Sequence, residues 1–124
     1  MMPGTPLTGR LLRLVNATRY TLAGLRHALR HERPFQEEVL CLVVIVIPGA
    51  VLLGTNGIER ALLIGSWLVV LVVELLNAAI ERTVDRIGSE RHELSGQAKD
   101  LGSAAVGVAI VLALLVWALV LLGK

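Results

Sequence analysis

Between positions 74 and 85 the chain carries Glu74, Asn77, Glu81 and Asp85. Steps of three and then four residues bring all of them to one face of a helix. The six residues before Glu74, Leu68 to Val73, are apolar without a break. Glu74 therefore falls inside an oily segment, where an ionised carboxylate costs on the order of 2.5 to 3.5 kcal/mol on insertion scales. A single acid there could be a hydrogen-bonding partner for a neighbouring helix. An aligned Glu, Asn, Glu and Asp form instead a ladder of oxygen ligands and bases descending into the membrane. Oxygen donors without sulfur suit Mg²⁺, which keeps several waters and bridges carboxylates to phosphates.

The segment after the ladder is strongly polar, with Arg86, Glu90, Arg91, His92, Glu93, Lys99 and Asp100. Charge alone would read as a solvated face. Its place after an acidic helix end and before another apolar run suits phosphate and metal binding, with Lys99 as the cation for phosphate oxygens. His27, His31 and His92 have no metal-ligand spacing, and neither a G-x-x-x-x-G-K-[ST] loop nor the glycine loop of protein kinases is present. Cys41 is the single cysteine, which excludes an internal disulfide and reads as an apolar packing residue. The residues alone thus reach as far as a membrane protein with a buried, acidic, metal-suited site.

These side chains must be positioned by membrane helices. Of 124 residues, 55% are hydrophobic and only 3% aromatic. The apolar residues gather in blocks over 39–53, 61–80 and 103–123. Roughly 20 helical residues cross the hydrocarbon core, so the first block is extended at both ends. The expected architecture is an all-α membrane protein in a single domain, with a surface helix over 7–32 and transmembrane helices over 35–57, 60–85 and 97–122. Leu11, Val15, Leu22, Leu25 and Leu29 alternate with Arg10, Arg13, Arg19, Arg26 and Arg30 at the spacing of an amphipathic interfacial helix. Pro34 is expected to end that helix and open the next. Pro48-Gly49 is expected to kink the first span, and Gly54-Thr-Asn-Gly57 marks a turn.

No apolar run of secretory type precedes Val39, so the chain is read as uncleaved. Six arginines precede the first span, and Arg82, Arg86, Arg91 and Lys99 lie between the second and third, against Arg60 and Lys124 elsewhere. The positive-inside rule then places the N-terminus and the second loop in the cytoplasm and the C-terminus outside. These arginines need no nucleic-acid partner. Small residues at the start of the third span, Gly102, Ser103, Ala104, Ala105, Gly107 and Ala109, predict close helix packing. Three spans make a thin bundle for enclosing two substrates, which predicts a homo-oligomer with shared sites.

Over Glu74-Leu-Leu-Asn-Ala-Ala-Ile-Glu81, Val84-Asp-Arg-Ile-Gly-Ser-Glu90, His92-Glu-Leu-Ser-Gly96, Ala98-Lys-Asp100 and Gly102-Ser-Ala-Ala-Val106 the chain closely resembles the bacterial integral-membrane diacylglycerol kinases. Weaker similarity runs back through Gly24-Leu-Arg26, Glu32, Phe35 and Glu38. The resemblance implies ATP-dependent phosphorylation of diacylglycerol to phosphatidic acid, with Mg²⁺, by a homotrimer in the inner membrane. It implies that Glu74 is the general base toward the lipid hydroxyl, with Asn77, Glu38 and Arg13 at the lipid site. It assigns Glu32 and Glu81 to the metal on ATP and Lys99 and Asp100 to the nucleotide. Arg13, Asp85, Gly88, Glu90, His92 and Gly96 are set around the nucleotide. The chain departs from the family pattern at Pro48 and around Leu22-Ala23, neither of which touches the acidic core. Two rivals are carried: an undecaprenol kinase with the same site, and a non-enzymatic proton or ion pathway through Glu74, Glu81 and Asp85.

Overall fold

The structure, a computed structural model, describes residues 6–88 and 92–124. The described residues are helical apart from short connections. They fall into two compact units, Met1–Arg33 and Pro34–Lys124.

The first unit is built on α1, Leu7–His31. It ends where the sequence requires: Pro34 has no N–H and its ring would collide with the Arg30 carbonyl four residues back, so α1 stops at His31 and Glu32 is extended with φ −106° and ψ 100°. Thr18 and Thr21 donate their hydroxyls back to the carbonyls of Leu14 and Ala17, removing two polar groups from competition with the helix. Leu11, Leu14, Val15, Leu22, Leu25 and Leu29 are exposed on the protein, as befits an apolar stripe made for a lipid surface.

The second unit holds all of α2, Arg33–Cys41, but its first residue, then a π-helical turn over Leu42–Val46 and α3, Ile47–Leu53. The disruption expected at Pro48 takes the form of this widened turn. The proline has no N–H, and its ring would collide with the carbonyl four residues back, at Val44. The widened turn absorbs the clash, and Ile47 N–H reaches back five residues to Leu42. The next helix, α4, covers Gly57–Ile87, with Asn56 as its cap: the side-chain oxygen accepts from Glu59 N–H at 2.9 Å. The last, α5, covers Glu93–Leu122 and begins four residues before the expected start at 97. His92 accounts for the early start, since its Nδ1 accepts from Leu94 N–H at 3.1 Å and caps the helix.

Among the described residues, Arg33–Leu53, Gly57–Ile87 and Glu93–Leu122 are long and apolar enough to cross a membrane. Their packing inverts that of a water-soluble bundle. The core between α4 and α5 is small, built on Val70, Ala109 and Ala113 with Trp67, Val73 and Ile110 against it, while Leu68, Val72, Leu76, Val108, Val111 and Leu114 are exposed. Lipid tails solvate leucine as well as another leucine does, so the residues worth burying are those that let backbones approach. Gly102, Ala109 and Ala113 supply that surface at steps of seven and four. The close packing expected of the small residues is therefore partial: Ser103, Ala104, Ala105 and Gly107 are exposed.

At the far end of the bundle, polar groups tie the turn to the C-terminus. Arg60 donates to Gly54 O at 2.9 Å, and Lys124 pairs with Glu59 at 3.3 Å and donates to Leu53 O. Both cations thereby meet carbonyls at the end of α3, where the helix dipole is negative.

Candidate active site

The acidic ladder lies along α4 as its spacing requires. Glu74 and Asn77 are buried, 5% and 7% exposed, whereas Glu81 is half-buried and Asp85 is exposed. The stripe thus grades from dry to wet along a single helix. Asn77 Nδ2 donates to Glu81 Oε1 at 3.3 Å. That bond fixes the amide, because a carboxylate only accepts and the NH₂ group must face it. Asn77 Oδ1 is consequently turned away; it is buried and has no hydrogen-bond partner. It lies against Gly102, where a Cβ would overlap it.

One further carboxylate comes to this face from another helix. Glu38 of α2 is close enough to Glu74 to interact with it electrostatically. Its Oε2 is buried without a hydrogen-bond partner. The main-chain carbonyl of Glu38 accepts from Trp67 Nε1 at 2.8 Å, which ties α2 to α4. A buried carboxyl oxygen and a buried amide oxygen, both lacking donors, mark where an incoming hydroxyl or cation would be received.

At the wet end, Lys99 of α5 and Asp85 of α4 form an ion pair at 2.7 Å with both side chains substantially exposed. Exposed pairs of this kind contribute little, because water screens them. Lys99 can therefore leave Asp85 for an anion. Asp100 is exposed beside it. His92 is engaged as the cap of α5 through Nδ1, and Gly96 N–H donates to His92 O in the same first turn. Gly88 ends α4, its N–H bonded to Val84 O. Glu90 lies outside the described residues. Arg13 and Glu32 belong to the first unit, on α1 and at its end.

The structure thus brings together Glu38, Glu74, Asn77 and Glu81, with Asp85 and Lys99 paired nearer water. Two contributors were not singled out from the sequence for this place, Gly102 and Trp67. Trp67 stands two helical turns before Glu74, and Gly102 precedes Ala109 and Ala113 at helical spacing, so both lay on readable faces. Among the described residues, no group of three or more His, Cys, Asp or Glu is gathered as a metal cage. Mg²⁺ fits this donor set nonetheless, being held as a rule by one or two carboxylates together with substrate phosphates and water.

Comparison with known proteins identifies the family. The family model described as "Prokaryotic diacylglycerol kinase" matches residues 19–121. A diacylglycerol kinase of Pseudomonas aeruginosa is 51% identical over 124 residues, covering 98% of this chain and 100% of that protein. One from Haemophilus influenzae is 49% identical over 110 residues, covering 89% of this chain and 92% of that protein. One from Escherichia coli is 50% identical over 110 residues, covering 88% of each. The chain is a bacterial membrane protein that belongs to the prokaryotic diacylglycerol kinase family.

Proposed function

We propose that this chain is a lipid kinase that transfers the γ-phosphoryl group of MgATP to the free hydroxyl of diacylglycerol, giving phosphatidic acid at the cytoplasmic face of the inner membrane. The observation that carries the reading is the graded stripe on α4. It offers a buried carboxylate where a lipid hydroxyl can reach and half-buried to exposed groups where a nucleotide can.

Glu74 accepts the proton of the lipid hydroxyl as that oxygen attacks the γ-phosphorus, whose bond to the β,γ-bridging oxygen breaks to release ADP. Glu38 and Asn77 help hold the hydroxyl, each through an oxygen that has no protein donor. Glu81 is the metal-facing carboxylate, oriented by Asn77. Bound Mg²⁺ would neutralise charge on the phosphate oxygens. Lys99, released from Asp85, and Asp100 attend the nucleotide, with Arg13, Glu32, Gly88, Glu90, His92 and Gly96 placed near it on the resemblance. The remaining demand is alignment of donor and acceptor.

Purified protein given labelled ATP, Mg²⁺ and either diacylglycerol or undecaprenol tests the reading. Label in phosphatidic acid is expected; label only in the polyprenol would reassign the acceptor, and none in either would end the kinase reading.

Gly102 carries a prediction of its own. Alanine there must displace the Asn77 amide, whereas a Cβ at Gly107 on the same helix meets nothing within 4 Å. Gly102→Ala is expected to lower phosphoryl transfer at least about tenfold, since displacing a positioning group by about 1 Å can cost far more. Gly107→Ala is expected to stay near wild type. Equal losses in both would refute the Gly102–Asn77 contact as the cause.

We infer further that the active form is a homo-oligomer, because three spans leave little room to enclose a nucleotide and a two-chain lipid; the family resemblance supports a homotrimer, and the arginine distribution supports a cytoplasmic N-terminus and α4–α5 loop. Native mass spectrometry from bilayer mimetics is expected to find trimers. A fully active monomer would overturn the inference.

A further inference from the structure

We propose that Trp67 is a positioning residue for the lipid acceptor: its indole N–H, bonded to the main-chain carbonyl of Glu38, holds the Glu38 carboxyl beside Glu74 where the acceptor hydroxyl is received. The proposal rests on the kinase reading and deepens it.

Three observations converge on this contact. Trp67 Nε1 donates to Glu38 O at 2.8 Å, joining α2 to α4 across 29 positions of sequence. Glu38 Oε2 is buried and has no donor from the protein. Glu38 also interacts electrostatically with Glu74. Helix geometry links the three. Side chains lean toward their own helix's N-terminus while carbonyls point toward its C-terminus. Glu38 can therefore offer its carbonyl to Trp67 and send its carboxyl the other way, toward the level of Glu74. Trp67 lies seven residues before Glu74, about 10 Å along the axis and on the same face. It braces the first span from the side opposite to the wet end of the stripe.

Packing alone does not explain the indole. The ring lies against Val70, Ala109 and Ala113, and phenylalanine would serve for that. A second indole gives a matched control: Trp117 of α5 donates to Leu63 O of α4 at 3.0 Å, the same kind of bond, between helices that do not include Glu38.

The test is steady-state kinetics of the full chain in mixed micelles, varying dioleoylglycerol and MgATP separately. Trp67→Phe keeps the ring and removes the donor. Its KM for dioleoylglycerol is expected to rise about fivefold, the worth of one ordinary hydrogen bond, with the KM for MgATP unchanged. Trp117→Phe is expected to alter neither. An unchanged lipid KM in Trp67→Phe, a parallel rise in both constants, or the same rise in Trp117→Phe overturns the proposal while the kinase reading stands. Absence of transfer by the wild-type chain would remove both. Should Trp67→Phe not fold, the wild-type indole resonances carry the test. The Trp67 N–H signal is expected to shift on adding dioleoylglycerol and not on adding a non-hydrolysable ATP analogue, and the reverse pattern overturns the proposal.

Discussion

Replacing Glu74 with Gln is expected to leave a folded membrane protein that binds nucleotide with near-wild-type affinity and transfers almost no phosphate. The substitution keeps size and shape and removes only the capacity to take a proton. Glutamine is also no worse a guest inside an apolar helix than an ionised carboxylate, so insertion and packing are not expected to suffer. General-base contributions run about 10² to 10⁴-fold in rate. Labelled phosphatidic acid formation should fall within that range or below it, while nucleotide affinity measured by calorimetry changes less than about twofold, since uniform binding is untouched. Turnover above about a tenth of wild type would rule out Glu74 as the base.

A second large effect is expected at Glu81. Gln at this position can still accept from Asn77 Nδ2, so the local hydrogen bond of the wild type is preserved and the negative charge alone is lost. If Glu81 faces the metal on the nucleotide, half-maximal activity will require at least about tenfold more Mg²⁺. Saturating Mg²⁺ will restore part of the rate, and the KM for diacylglycerol will not move. A Mg²⁺ titration superimposable on that of the wild type would exclude the metal role. The two substitutions thus separate the deep chemistry from the nucleotide end, because each leaves the other's substrate constant in place.

Much of this site was legible before any coordinates. Glu74, Asn77, Glu81 and Asp85 declare a common face through spacing alone, and the apolar run ahead of Glu74 sets its depth. Pro34 marks a helix limit by local chemistry, whereas the sequence shows Asn56 only as part of a turn, and its capping starts α4 at Gly57, three residues before the expected 60. What spacing could not supply was contact between elements. Spacing puts Gly102 on one face with Ala109 and Ala113, but it does not say that a Cβ there would meet Asn77 while one at Gly107 would meet nothing. The partner of Trp67 is a main-chain carbonyl 29 residues earlier, and main-chain atoms carry no sequence signature. The early start of α5 was hidden because His92 is an uncommon cap. Pro48 announced a break but not its kind, since the same residue can end, kink or widen a helix.

The length of the stripe has a consequence for how such an enzyme meets its acceptor. Glu74 and Asp85 are eleven residues apart, about 16 Å along the axis of α4 at 1.5 Å per residue. Lifting a two-chain glycerolipid out of a leaflet exposes dozens of methylenes at about 0.8 kcal/mol each, far beyond what any binding pocket recovers. A ladder that reaches down to the acceptor avoids that extraction. The lipid can arrive and depart by lateral diffusion, and only the polar donor ever crosses from water to the protein.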